Sequence, residues 1–140
     1  MKKFVFRFKE EKLGEKTDYV PKIPVEFSNA GKRFDTLAYL DTGSTISYLP
    51  KEIAELLGLE LGKKVEKAEG IGGDEDFRAS SVTLVIRQGH ENSIINLPVF
   101  VFENPARRLV ILGRLPLFQM FDICFNASEN RIIMKEAPGK

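Results

Sequence analysis

An apolar stretch, residues 37–40, ends in Asp41, Thr42, Gly43 and Ser44, and this order delivers a carboxylate into a tight turn. Gly43 lets the backbone approach closely and can offer its N–H to the carboxylate, and Ser44 can donate its hydroxyl to the outer carboxylate oxygen. A carboxylate positioned in this way is a candidate general acid or base. Asp, Gly and Ser are also the commonest residues of ordinary turns, so the rest of the sequence has to decide whether Asp41 is catalytic.

Two glycine-containing segments lie downstream of this turn. The first is a tip between two strand-like segments, and it consists of Gly70, Ile71, Gly72 and Gly73. The second closes the apolar run of residues 109–112 with Gly113 and Arg114, directly before a helix-like segment. The first predicts a flexible hairpin, and the second predicts a buried strand that ends in a turn.

Hydrophobic periodicity indicates the elements that must position these residues. Strands are predicted at residues 4–8, 20–27 and 33–40, repeatedly between 63 and 111, and at 121–125 and 131–135. Short helices are predicted at residues 50–57 and 115–120. Many short strands with few helices favour a mostly-β barrel or sandwich.

Three local interpretations complete this assignment. The charged residues 9–16, which include Gly14, predict a solvated turn. Pro21 and Pro24 place the strand that follows at a sheet edge. Cys124, between Ile123 and Phe125, is expected to be a small core residue.

The three motifs, in this order, resemble those of the retropepsin-like aspartic peptidases, the single-domain retroviral proteases and their cellular and prokaryotic relatives. The resemblance covers about residues 20–135. It implies a single domain over residues 1–140, folded as a retropepsin-like closed β-barrel with one or two short helices and acting as a two-fold dimer.

The resemblance also implies a role for each motif. Asp41 would be the catalytic aspartate, supported by Thr42, Gly43 and Ser44, with Thr42 bonding across the dimer axis. A substrate-binding flap would be formed by Gly70, Ile71, Gly72 and Gly73. A structural role, supporting the floor of the site, would fall to Gly113 and Arg114.

The chemistry of such a site needs two carboxylates. Two carboxylates about 3 Å apart cannot both ionise, so the pair offers a base and an acid together. The sequence Asp-Thr-Gly occurs once, and Asp35-Thr36 continues into Leu37 and cannot make the same turn. We therefore expect a homodimer in which Asp41 of each subunit supplies half of the dyad. The expected activity is aspartic-type endopeptidase hydrolysis of extended peptides, without a metal or organic cofactor.

Arg114 departs from the retroviral pattern, in which the arginine pairs with an acid just after the catalytic turn. The residues after the turn, 45–47, contain no acid. Possible acidic partners elsewhere in the chain are Asp35, Glu52 and Asp122.

The composition argues against several classes of partner and of structural site. The 140 residues carry 21 basic and 20 acidic side chains, a net charge of +1, which favours neither nucleic acid nor an anionic membrane as a partner. One cysteine excludes an internal disulfide, and one histidine with one cysteine falls short of the ligands of a zinc site. Because a charge interrupts the apolar residues at the N-terminus, we expect no signal peptide and a cytoplasmic location.

A second function is compatible with the same residues. The fold and the dimer could hold an extended peptide or a partner strand with little or no turnover. Hydrolysis that Asp41→Asn abolishes favours the peptidase, and peptide binding without products favours the binding module.

Overall fold

The computed structural model describes residues 1–70 and 73–139, and within them the chain forms twelve strands and two short helices. The strands are β1 (Lys3–Arg7), β2 (Lys9–Leu13), β3 (Lys16–Val20), β4 (Lys22–Asn29), β5 (Lys32–Leu40), β6 (Ser47–Leu49), β7 (Glu66–Gly70), β8 (Gly73–Gln88), β9 (Glu91–Phe102), β10 (Ile111–Leu112), β11 (Phe121–Asn126) and β12 (Arg131–Glu136). The helices are α1 (Lys51–Leu57) and α2 (Leu117–Met120). Neither helix in these ranges is long and apolar enough to cross a membrane.

Six of the described strands close into a barrel. Their order is β4, β5, β10, β6, β9 and β8, and β8 pairs again with β4, where Glu26 lies opposite Val85. β10 runs parallel to β5 and antiparallel to β6, which places it at the centre of one wall. β7 continues from β8 as a hairpin beyond the closed ring. The mostly-β closed barrel expected from the sequence is confirmed.

The barrel interior is filled by the inward-facing residues of alternating strands. Fully buried members include Ile23, Phe27, Leu84, Leu97 and Leu112. Burial of side chains of this size contributes about 1.5–3 kcal/mol each, so the alternating pattern fixes which face of each strand points inward.

Helix α1 forms where its local signals predict it. Pro50 precedes the first turn in an extended conformation, and Gly58 ends the helix with a left-handed φ of 63°. Ile53, Ala54 and Leu57 are buried against the barrel.

Two smaller sheets lie outside the barrel. β1, β12 and β11 form an antiparallel sheet in that order, and β2 pairs with β3 as a separate hairpin. The solvated turn predicted at residues 9–16 is therefore wrong. Because most side chains of this hairpin remain exposed, its sequence lacks the alternation that reveals a half-buried strand.

Two further expectations are corrected by the strand pairing. β4 is not an edge strand, because β5 and β8 flank it. Pro24 lies opposite Leu37 and outside the Glu26–Ser28 stretch that pairs with β8, so its missing N–H interrupts nothing there. Cys124 is exposed and not in the core, because alternation along β11 turns Ile123 and Phe125 inward instead.

Candidate active site

Asp41 follows the last residue of β5 and is held in place by the neighbouring β10 segment. Its N–H donates to the carbonyl of Leu112 at 3.0 Å, and two residues earlier the N–H of Tyr39 donates to the carbonyl of Val110 at 2.8 Å. The parallel pairing of β5 and β10 thus continues into the turn. This fixes the backbone that carries the carboxylate.

The Asp41 carboxylate is held by the turn that follows it. The N–H of Gly43 donates to Asp41 Oδ1 at 2.8 Å, and the side chain is half-buried. A Cβ at Gly43 would lie 3.2 Å from that oxygen, tighter than an ordinary van der Waals contact. Glycine therefore lets the backbone come close enough to hold the carboxylate in one orientation.

Two neighbours of Asp41 are oriented differently from the sequence-based expectation. The Ser44 hydroxyl donates to the carbonyl of Ile46 at 2.6 Å and not to the carboxylate. Thr42 is exposed at the tip of the turn, where its side chain faces solvent in a single chain. Ser44 thus stabilises the loop itself, and the bond of Thr42 across a dimer axis stays a prediction.

Gly113 packs against the loop that follows Asp41 so closely that there is no space for a side chain. A Cβ there would lie 2.5 Å from the carbonyl carbon of Ile46 and closer still to its oxygen. The N–H of Gly113 donates at 3.0 Å to Ser47 Oγ, which is buried. Sequence reasoning missed Ser47, because a serine next to an apolar strand gives no signal of a backbone donor brought from a distant segment.

The two residues after Gly113 also bond to the loop that follows Asp41. The N–H of Arg114 donates to the carbonyl of Ser44 at 2.8 Å, and the N–H of Leu115 donates to the carbonyl of Thr45 at 3.0 Å. The loop that carries Asp41 is therefore bonded along both of its ends to residues 112–115.

The side chain of Arg114 also holds the loop, without an acidic partner. Its Nη1 donates to the carbonyl of Thr42 at 2.7 Å, and its Nη2 donates to Thr45 Oγ1 at 2.9 Å. The partners of Arg114 are thus a backbone carbonyl and a threonine hydroxyl, and not one of the three possible acids Asp35, Glu52 and Asp122. Arg114 is exposed, so its charge is solvated and needs no carboxylate.

We expect Arg114→Lys to destabilise the fold by roughly 1–2 kcal/mol, because one ammonium group cannot reproduce the planar fork that serves two acceptors. Denaturant unfolding measures the loss. Thr45→Val, which removes one acceptor and leaves the Thr42 carbonyl bonded, should cost less. Equal stability of Arg114→Lys and the unchanged protein would contradict this role.

A row of apolar side chains extends across the barrel wall from the candidate site. Register places Tyr39, Ile111, Tyr48 and Phe100 side by side on neighbouring strands, and all four are half-buried. Asp41 lies two residues after Tyr39, at the end of the same face. The carboxylate therefore stands at one end of a mostly apolar surface.

Aromatic rings make up the far part of this surface. Tyr48 stacks on Phe102 at 5.3 Å between ring centroids and meets Phe77 edge-on at 5.8 Å. Phe77 and Phe100 are 4.4 Å apart. Burial raises the pKa of the Tyr48 hydroxyl above its ordinary value of 10.0, so this hydroxyl stays neutral at physiological pH.

A cavity of about 430 Å³ opens beside the same row, and Ile111 belongs to both. Its apolar wall is formed by Phe102, Ala106, Leu109 and Ile111. Its charged rim is formed by Glu75, Arg107 and Arg108. A cavity with an apolar wall and charged groups at its rim can accept an organic side chain.

The segment predicted as a flap is a hairpin in its described part. Gly70 ends β7, Gly73 begins β8, and the two residues are paired. Ile71 and Gly72 lie outside the described residues. Below the tip, Arg107 Nε donates to Glu75 Oε1 at 2.5 Å, which ties β8 to the wall of the cavity.

Among residues 1–70 and 73–139, no group of three or more histidine, cysteine, aspartate or glutamate side chains could hold a metal ion.

Comparison with known proteins identifies the fold. No family model and no curated protein matches the sequence. Among solved structures, a retropepsin-like aspartic protease from Rickettsia conorii covers 99% of this chain and 94% of its own, with a TM-score of 0.60 and 15% identity. EIAV protease in complex with the inhibitor HBY-793 covers 73% of this chain and 88% of its own, with a TM-score of 0.51 and 24% identity. The chain therefore has the retropepsin-like fold.

Proposed function

We propose that this protein is an aspartic endopeptidase that cleaves extended peptides as a homodimer, with Asp41 of each subunit forming the reacting dyad. The observation that carries the proposal is the fixed Asp41 carboxylate at the end of an apolar surface, bonded to the Gly43 N–H. The fold similarity to two aspartic proteases supports the same reaction class.

The reaction needs a base and an acid in one site. In a dyad that shares one proton, the ionised carboxylate takes a proton from water as the water oxygen attacks the scissile carbonyl. The protonated carboxyl donates its proton to the carbonyl oxygen, and a tetrahedral intermediate forms. When the C–N bond breaks, the leaving nitrogen receives a proton from one carboxyl group. A hydroxyl of the intermediate gives its proton to the other carboxylate as the C=O of the product carboxyl forms, so the dyad again shares one proton.

One chain supplies half of this dyad. Asp41-Thr42-Gly43 occurs once in 140 residues, so the second carboxylate has to come from another copy. A two-fold axis brings the same residue of both subunits together, which makes a homodimer the simplest complete site.

The surroundings of Asp41 suit an extended peptide. β7 is the last strand of its sheet, and its free edge offers backbone groups to an added strand. The apolar row and the cavity beside Ile111 offer space for side chains that alternate along such a strand. A flap role for Ile71 and Gly72 is part of this proposal.

The test is digestion of a diverse peptide mixture between about pH 3 and pH 8, followed by mass spectrometry. We expect internal cleavage and a specific activity that falls on dilution in step with the dimer fraction, since a monomer holds one carboxylate. The dimer fraction is measured in parallel by analytical ultracentrifugation. Folded dimers that yield no products over the whole pH range would overturn the proposal and favour a peptide-binding module.

A further inference from the structure

The two outer edges of the sheet formed by β1, β12 and β11 differ. At the outer edge of β1, the side chain of Gln88 from the end of β8 bonds to the middle residue, Val5. The N–H of Val5 donates to Gln88 Oε1 at 2.8 Å, and Gln88 Nε2 donates back to the carbonyl of Val5. This side chain occupies the positions that a neighbouring strand would take.

The outer edge of β11 has no such cover within residues 1–70 and 73–139. The strand is paired on one side, with β12. The N–H of Ala137 donates to the carbonyl of Met120 at 2.8 Å. Along β11, every second residue from Met120 onward therefore directs its N–H and C=O groups toward β12. By alternation from that pair, the N–H and C=O groups of Phe121, Ile123 and Phe125 point outward, away from β12.

A free edge with three outward-facing residues is an open position for another strand. α2 leads directly into β11 and follows the Gly113 and Arg114 segment that holds the Asp41 loop. The open edge is therefore connected through a few residues to a site that is incomplete in one chain. A second copy of this chain can supply both a strand to pair with this edge and the second Asp41 that the site needs.

We propose that two copies join through the outer edges of β11, so that the sheet of β1, β12 and β11 continues into that of the partner. This inference rests on the proposed function, because the need for a second Asp41 is what calls for a second copy. Since β1 is already paired with β12 of its own chain, the terminal strands are not interleaved between subunits.

The edge also determines the register of the contact. An antiparallel pairing with the two-fold axis at Ile123 sets Phe121 opposite Phe125 of the partner subunit and uses every outward N–H and C=O group of β11. An axis at Asp122 would set two carboxylates directly opposite each other. An axis at Cys124 would leave the groups of Phe121 unpaired. In the favoured register, exposed Asp122 lies opposite Cys124 of the partner subunit.

A matched pair of charge variants tests this register. Cys124→Asp places a carboxylate opposite Asp122 of the partner subunit twice in each dimer, whereas Cys124→Lys places an ammonium group there. We expect the dimer dissociation constant of Cys124→Asp to exceed that of Cys124→Lys by roughly tenfold, with unfolding curves of the monomers alike. Equal dissociation constants would contradict the contact.

A thiol variant tests the distance directly. Asp122→Cys, with the native Cys124 retained, sets two thiols opposite each other at a non-hydrogen-bonded position, where Cα atoms are about 4.5 Å apart. We expect oxidised glutathione to produce a covalent dimer. The control is Ser128→Cys combined with Cys124→Ser, because residues 128 of the two subunits would lie about 30 Å apart.

The outcomes separate this inference from the proposed function. A covalent dimer that cleaves peptides supports both. A covalent dimer without cleavage supports the β11 contact and overturns the peptidase. A peptidase dimer that forms no covalent link overturns the β11 contact and leaves the peptidase standing.

Discussion

Asp41→Asn is expected to lower the rate of peptide hydrolysis by at least about a thousandfold while the fold and the dimer persist. Asparagine has nearly the same shape, and its Oδ1 can still accept the N–H of Gly43 that now bonds to the carboxylate. It cannot take a proton from water or pass one to a leaving nitrogen. The rate loss is measured as kcat/KM on a peptide identified from the digestion experiment.

The matched control is Asp35→Asn, which removes an exposed carboxylate from β5, the strand that leads into Asp41. Activity should be unchanged. Mixing wild type and Asp41→Asn in equal amounts then tests how many carboxylates a site needs. Random exchange of subunits leaves about one quarter of the dimers with two aspartates, so the activity should fall to about one quarter. A residual activity of about one half instead would show that each subunit acts alone and would contradict the shared dyad.

Gly113→Ala is expected to destabilise the fold by about 3 kcal/mol or more and to remove activity in the fraction that stays folded. The added methyl group would lie 2.5 Å from the carbonyl carbon of Ile46 and 2.8 Å from its nitrogen. These atoms are backbone and cannot rotate away as a side chain would. Relief requires the loop after Asp41 to move, which breaks the bond from the Gly113 N–H to Ser47 Oγ.

Thermal and denaturant unfolding measure this loss. Gly139→Ala is the matched control, because a Cβ there meets nothing within 4 Å and the stability should not change. If Gly113→Ala unfolded at the same temperature as Gly139→Ala, the close packing of Gly113 on Ile46 would not be a constraint on the fold.

The elements that could be predicted from the sequence are those with local chemical signals. Pro50 and Gly58 mark the two ends of α1, and the turn between β4 and β5 is marked by Gly31, whose φ is 84°. The Asp41 turn carries a signal of the same kind, since the Gly43 N–H that bonds its carboxylate lies only two residues away in sequence. Such signals need no knowledge of the rest of the chain.

The features that sequence reasoning missed depend on distant segments. β6 is three residues long and exists because β9 and β10 flank it. The bonds of Arg114 go partly to a backbone carbonyl, and every residue carries one, so no residue type reveals that acceptor. An arginine in the sequence suggests an acidic partner, whereas the acceptors of Arg114 in the structure are a backbone carbonyl and a threonine hydroxyl.

The Gln88 side chain at β1 has a consequence for how many copies can assemble. A sheet that is open at both ends can add molecules without limit and grow into a filament. Here one end is blocked by a side-chain amide, and the other end would be consumed by pairing with itself across a two-fold axis. In the proposed dimer, growth through this sheet would stop at two copies, because the same glutamine that completes the hydrogen bonding of Val5 stands where a further strand would have to pair.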